Sequence, residues 1–191
     1  GVPAARLMER AGTAVTAEAL KIAKKTARIL VVSGYGNNGG DGFVTARQLI
    51  DSGFHVTVFL AGKPKLLTPE AEDNLGELIK RGNRAEMLSD IGGIDTAFEA
   101  LGTCDLVIDA IFGTGIHGVL EEFYKVLIEK VNSLGTAVIS IDLPSGLDAD
   151  TGRACPVAVK ACKTVALAFP KAGFKNPESK KYTGEVVVAD I

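Results

Sequence analysis

Four oxygen-bearing residues, Asn38, Asp109, Asp142 and Ser145, stand in or beside three glycine-bearing segments that each follow an apolar run. The first segment is Gly36-Asn37-Asn38-Gly39-Gly40-Asp41-Gly42, behind Ile29–Ser33. Glycines there let backbone amides approach a ligand, and a following helix start favours negative charge, which is how α/β proteins hold phosphates. A phosphate cradle has no need of Asp41, so this segment handles something besides phosphate. The second segment, Gly113-Thr114-Gly115-Ile116-His117-Gly118-Val119, follows Leu106–Ile111 and reads as a second anion cradle with a helix behind it. The third, Leu143–Asp150, follows Ala137–Asp142. Asp109 and Asp142 end buried runs, where a carboxylate is costly unless a cation, amide donors or a substrate meets it. Asn, Asp and Ser oxygens are hard ligands, so these segments suit a weakly held hard cation, and one held by few charges would suit a monovalent ion.

Gly34-x-Gly36-x-x-Gly39 has the spacing of the dinucleotide fingerprint, which also expects an acid at the end of the second strand. Here His55–Leu60 runs into Ala61-Gly62-Lys63-Pro64-Lys65, and no acid is present. The ordinary nicotinamide-dehydrogenase reading loses weight accordingly. Both glycine segments also have a plainer reading, as tight turns. His117 is either a ligand contact or a solvated loop histidine, His55 reads as structural, and Lys171 follows a strand end from which it could reach a phosphate.

The elements that must position these residues alternate. Leu7, Ala11, Val15, Ala19 and Ile22 mark an amphipathic first helix. Strands are expected at about Ile29–Ser33, His55–Leu60, Glu86–Leu88, Leu106–Ile111, Ala137–Asp142, Thr164–Phe169 and Glu185–Ala189. Helices are expected from the glycine segment to about Ser52, over Pro69–Arg81 with Thr68 as N-cap, near Asp95–Leu101, and over Leu120–Leu134. Continuous apolar strands separated by helices predict a parallel sheet covered on both faces, an α/β fold. In such a sheet all strand carboxyl ends lie on one edge, and ligands bind there at the switch in strand order. Asn38, Asp109, Asp142 and Ser145 therefore meet in one cleft.

The chain has 191 residues, 47% of them hydrophobic, enough for one domain over residues 1–191 with a substantial core. A formal charge of −2 offers no surface for nucleic acid or an anionic membrane. Cys104, Cys155 and Cys162 show no CxxC spacing and read as reduced thiols of a cytoplasmic protein. No apolar run approaches the ~18 residues of a membrane span. The chain opens at Gly1 without an initiator Met, so targeting is not legible.

Gly36–Gly42, Asp109-Ala110-Ile111-Phe112-Gly113-Thr114-Gly115 and Asp142-Leu143-Pro144-Ser145-Gly146-Leu147-Asp148-Ala149-Asp150-Thr151-Gly152, in that order, resemble the YjeF N-terminal domain family, the NAD(P)H-hydrate epimerases. Leu7–Gly12 and Gly184–Ile191 are similar to that family's first helix and last strand. The resemblance implies a Rossmann-like three-layer αβα sandwich with a mostly parallel sheet. It implies an isomerase that interconverts the R and S forms of hydrated NADH and NADPH (NADHX and NADPHX), so that a partner dehydratase specific for one epimer repairs both. Substrate would be bound through Asn37, Asn38, Gly39, Gly40, Asp41, Gly113, Thr114, Gly115, Ile116, His117, Gly118, Val119 and Asp142. One potassium ion per subunit would be held by Asn38, Asp109 and Ser145, and a homodimer is expected. The family carries a further stretch before the equivalent of Gly1, and its bifunctional members continue into a fused dehydratase domain. The hydrated carbon is a hemiaminal, so losing hydroxide or opening the ring erases its stereochemistry. Either route needs one proton-transfer group, for which Asp142 is the candidate. Gly113–Gly118 is expected to take phosphate oxygens, and Asn37–Asp41 the nicotinamide ribose end. The competing readings are a non-catalytic dimerisation or scaffold module of the same fold, and a dinucleotide-binding oxidoreductase.

Overall fold

The computed structural model describes residues 1–63, 67–115 and 118–191. Its strands are the apolar runs: β1 (Arg28–Ser33), β2 (His55–Ala61), β3 (Ala85–Leu88), β4 (Leu106–Ala110), β5 (Ala137–Ile141), β6 (Lys163–Leu167) and β7 (Glu185–Ala189). All pair in parallel, in the order β3-β2-β1-β4-β5-β6-β7. The chain winds outward from β1 to β3, then returns to the other side of β1. The switch in winding therefore lies between β1 and β4, where Gly34 N–H donates to Ala110 O at 3.0 Å.

Alternation along β1 divides the core. Ile29 and Val31 pack under α1 (Ala4–Ile22), α2 (Asn37–Asp51) and α3 (Pro69–Lys80). Leu30 and Val32 pack with α4 (Ile91–Leu101) and α5 (Glu122–Ser133) on the opposite face. That is a three-layer αβα sandwich, as the sequence predicts. Beyond β6 the chain makes two short 3-10 turns, Ala172–Lys175 and Pro177–Ser179, and a short helix α6 (Lys180–Thr183), none of them anticipated. Among the described residues no helix is long and apolar enough to cross a membrane.

Two helix starts differ from expectation in ways that matter for the cleft. Asn37–Asp41 is not a loop: α2 begins at Asn37, so the whole Asn-Gly-Gly-Asp stretch is helical. Close packing overrides the poor helix propensity of glycine here. A Cβ on Gly39 would lie 1.9 Å from the Gly34 carbonyl oxygen, so the start of α2 lies tight against the turn leaving β1. Gly36 is the N-cap and no side chain caps it, which leaves the first amides of α2 at the cleft. Conversely, α5 begins only at Glu122, so Gly113, Thr114 and Gly115 on the cleft are not at its start, and the helix dipole at the cleft belongs to α2. Thr68 precedes α3 without capping it through its side chain.

Candidate active site

A cleft of about 700 Å³ opens over the β1/β4 switch. Tyr35, Asn37, Asn38 and Asp41 line it from the β1 side, and Ile111–Gly115 from the end of β4. Asp142 and Leu167 contribute from β5 and β6, and Thr68 and Tyr124 from α3 and α5.

Asp109 anchors the floor. Its β4 register sets it opposite Val32 on one side and Ser140 on the other, and it is fully buried. Ser140 Oγ and Ser145 N–H donate to its Oδ2 at 2.7 and 2.9 Å. Ser145 Oγ donates to Oδ1 at 2.5 Å, and Ile111 N–H reaches it only at 3.4 Å. Ser145 Oγ also accepts from Phe112 N–H at 2.9 Å, while Asn38 Nδ2 donates to Phe112 O at 2.9 Å. Asn38, Asp109 and Ser145 thus form one network around the Phe112 peptide. Burial pushes the Asp109 carboxyl above its usual range, against those hydrogen bonds. Among the described residues no basic side chain pairs with it.

Asp142 is held differently. It lies just past β5 with φ of 66°, in the left-handed region that non-glycine residues rarely adopt. Leu143 N–H donates back to Ile141 O at 2.7 Å, closing a three-residue turn of the strained γ type. Asp142 Oδ1 accepts from Leu167 N–H at 3.1 Å and from Lys171 Nζ at 2.5 Å. Oδ2 faces Gly113 across the cleft: a Cβ on that glycine would lie 3.5 Å from it. Asp41 is the second carboxyl at this end, with 6% of its surface exposed. Burial first, and then the charge of Asp142, push its pKa up to about 8. At neutral pH the cleft therefore contains one neutral carboxyl, Asp41, beside one paired with an ammonium.

The family model for the YjeF-related protein N-terminus matches residues 4–173. This chain belongs to the YjeF N-terminal family. The NAD(P)H-hydrate epimerase of Limosilactobacillus reuteri is 38% identical over 193 residues, covering all of this chain and 86% of that protein. The bifunctional NAD(P)H-hydrate repair enzyme Nnr of Thermofilum pendens is 39% identical over 191 residues. The chain spans 36% of that protein's length. The crystal structure of yeast ynu0, YNL200c, superposes with a TM-score of 0.80 at 24% identity, covering 98% of this chain and 79% of that one, and carries the likeness of fold.

Of the residues that the family resemblance nominated, the structure gathers Asn37, Asn38, Asp41, Gly113, Thr114, Gly115 and Asp142 on the cleft, with Asp109 and Ser145 beneath. Gly39 and Gly40 are buried in helix packing instead of lining it. Gly118 and Val119 are exposed, Val119 at 87%, and do not line it either. Ile116 and His117 lie outside the described residues. Lys171, which from sequence could reach a phosphate, is instead committed to Asp142.

Three cleft residues carry no motif. Among the described residues, Tyr35 Oη and Thr68 Oγ1 are buried without a hydrogen-bond partner. Tyr124 stands edge-on to Phe112, ring centroids 4.6 Å apart, with its hydroxyl against Gly62. Burial holds both phenols above their ordinary pKa and hence neutral. The available signal in the sequence was weak: a tyrosine within the glycine segment and a threonine before Pro69.

Proposed function

We propose that this chain epimerises the hydrated forms of NADH and NADPH, interconverting their R and S hemiaminals. The carrying observation is Asp142: a carboxylate with one oxygen engaged by Lys171 and Leu167 and the other turned into a dinucleotide-sized cleft at the sheet switch. The Limosilactobacillus reuteri relative bears that activity in its name, and the Thermofilum pendens one is named a bifunctional NAD(P)H-hydrate repair enzyme. Inverting a hemiaminal carbon requires moving a proton at its hydroxyl, and a single positioned carboxylate does that without any redox partner. Asp142 Oδ2 is the group that takes or returns the proton. Neutral Asp41 adds no second negative charge to that end and can donate a hydrogen bond to a substrate oxygen. The uncapped amides of α2 face the same cleft and suit the anionic part of the substrate.

The residues around Asp109 fit a potassium ion. Asn38, Ser145, Asp109 and the Phe112 carbonyl offer only hard oxygens, and a buried carboxylate without a basic partner lacks a compensating charge. Bound there, the ion would supply that charge and fix the Phe112 peptide at the cleft floor. Potassium should raise Tm over an equal concentration of tetramethylammonium. An Asp109→Asn variant should lose that difference, and equal Tm in both salts for the parent chain would remove the ion from this site.

The deciding experiment for the reaction is epimer exchange: purified chain added to a single epimer of NADHX, followed by separation of the two forms. Equilibration faster than the uncatalysed control is expected. Binding of the dinucleotide without exchange would favour a scaffold module. We further infer that the product is consumed by a dehydratase acting on one epimer, as a separate or a fused protein.

A further inference from the structure

Among the described residues, Asp142 and Ala168 are the non-glycine residues with positive φ, at 66° and 60°. They occupy equivalent places, one past the ends of the neighbouring strands β5 and β6. Each centres the same turn, Leu143 N–H to Ile141 O and Phe169 N–H to Leu167 O, both at 2.7 Å. Backbone of this kind is strained and persists only where its surroundings enforce it. One consequence of the pair is common to both. The β5 turn delivers Asp142, and the β6 turn bends the chain so that Lys171 comes back onto it. The Lys171 ammonium donates to Leu167 O at 3.1 Å and Phe169 O at 3.2 Å, the two carbonyls flanking Ala168, as well as to Asp142 Oδ1. All three donors are engaged, and the side chain is 14% exposed. An ammonium fixed on three sides has no freedom to follow a phosphate.

We propose that Lys171 is a positioning residue for the epimerisation: it and the Leu167 amide fix Oδ1 of Asp142, so that Oδ2 alone meets the substrate. This rests on the reading of Asp142 as the proton-transfer group. A lysine that only braced the β6 turn would affect stability, and its loss would lower activity to the same degree whatever stood at position 142.

The test is a double-mutant cycle on epimer exchange, with kcat and KM measured separately. Lys171→Met should lower kcat by roughly 10- to 100-fold and leave KM within about threefold, because a misaimed carboxylate impairs the proton transfer more than binding. Lys171→Arg keeps the charge and should fall between Met and the parent, at the parent's Tm. In an Asp142→Asn background Lys171→Met should change kcat by less than about twofold, since the two act as one unit. Losses that multiply in that background would overturn the proposal, as would parental kcat in folded Lys171→Arg and Lys171→Met. Should Lys171→Met not fold, the Arg variant carries the same cycle. Parental turnover in Asp142→Asn itself is a separate outcome: it would remove Asp142 from the chemistry, whatever Lys171 does.

Discussion

Asp109 and Asp142 have the same signature in sequence, a carboxylate after a run of β-branched residues, and opposite situations in the fold. Asp109 is the fourth residue of β4, inside the sheet, fully buried and met by four neutral donors. Asp142 is one step beyond β5, on strained backbone, with one oxygen bound to an ammonium and one facing the cleft. Two positions along the sheet, from the level of Ser140 opposite Asp109 to Asp142, separate a carboxylate that organises the floor from one that can touch substrate. Place along the strand, more than residue type, decides which carboxylate can do chemistry.

Exchanging each acid for its amide is the sharpest way to break that contrast. Asp142→Asn should cut epimerisation by roughly 10²-fold or more while Tm stays within a few degrees, the usual worth of a general acid–base group. Asp109→Asn should do the reverse. It puts an NH₂ among groups that donate, leaving buried donors unmatched at about 1–3 kcal/mol, or roughly 2–12 °C in Tm. Circular-dichroism melts beside turnover measurements on both variants check this. If both lose Tm equally and activity equally, the distinction is wrong.

Asp41 sharpens the comparison through pH. Its pKa rises from 3.8 to about 8 on folding, mainly by burial and secondarily through Asp142, with Lys171 the cation on that partner. The sign follows from proton binding: between the two values the folded chain holds a proton that the unfolded chain has lost. Its contribution to stability is therefore full below about pH 4, declines as pH rises, and is gone above about pH 8. Asp41→Asn should flatten the fall in Tm between pH 5 and 9 by roughly 5–10 °C. Parallel Tm curves for the two proteins would mean that Asp41 is ionised in the cleft.

The sheet was legible because each strand is an apolar run and each run has a helix behind it. The convergence of Asn38, Asp109, Asp142 and Ser145 followed from parallel topology alone. The start of α2 was not legible: three glycines and two asparagines have the propensity of a loop, and contacts with the turn after β1 make them helical. Ser140 was visible as a hydroxyl in an apolar run, but its role depends on pairing opposite Asp109. The Lys171–Asp142 pair had no local sign at all. It spans 29 positions and depends on an alanine adopting positive φ, which no sequence pattern announces.

The smallest expected effect concerns the cleft wall after β1 and before α3, where Tyr35 and Thr68 differ from both aspartates in having, among the described residues, no partner for their buried hydroxyls. A buried polar atom in that state contributes nothing to the fold and carries a desolvation cost. A ligand oxygen or amide reaching it would gain a hydrogen bond whose desolvation the fold already bears. Tyr35→Phe and Thr68→Val remove the hydroxyls with little change of volume. Each should therefore leave Tm unchanged or raise it by about a degree or two, the opposite of deleting a satisfied group. Each should also raise KM for the hydrated dinucleotide by roughly three- to tenfold, the worth of one net hydrogen bond, with kcat nearly constant because the reacting carbon lies at Asp142. A fall in kcat at constant KM would place these hydroxyls at the chemistry beside Asp142. A fall in Tm would mean that they have partners within the fold.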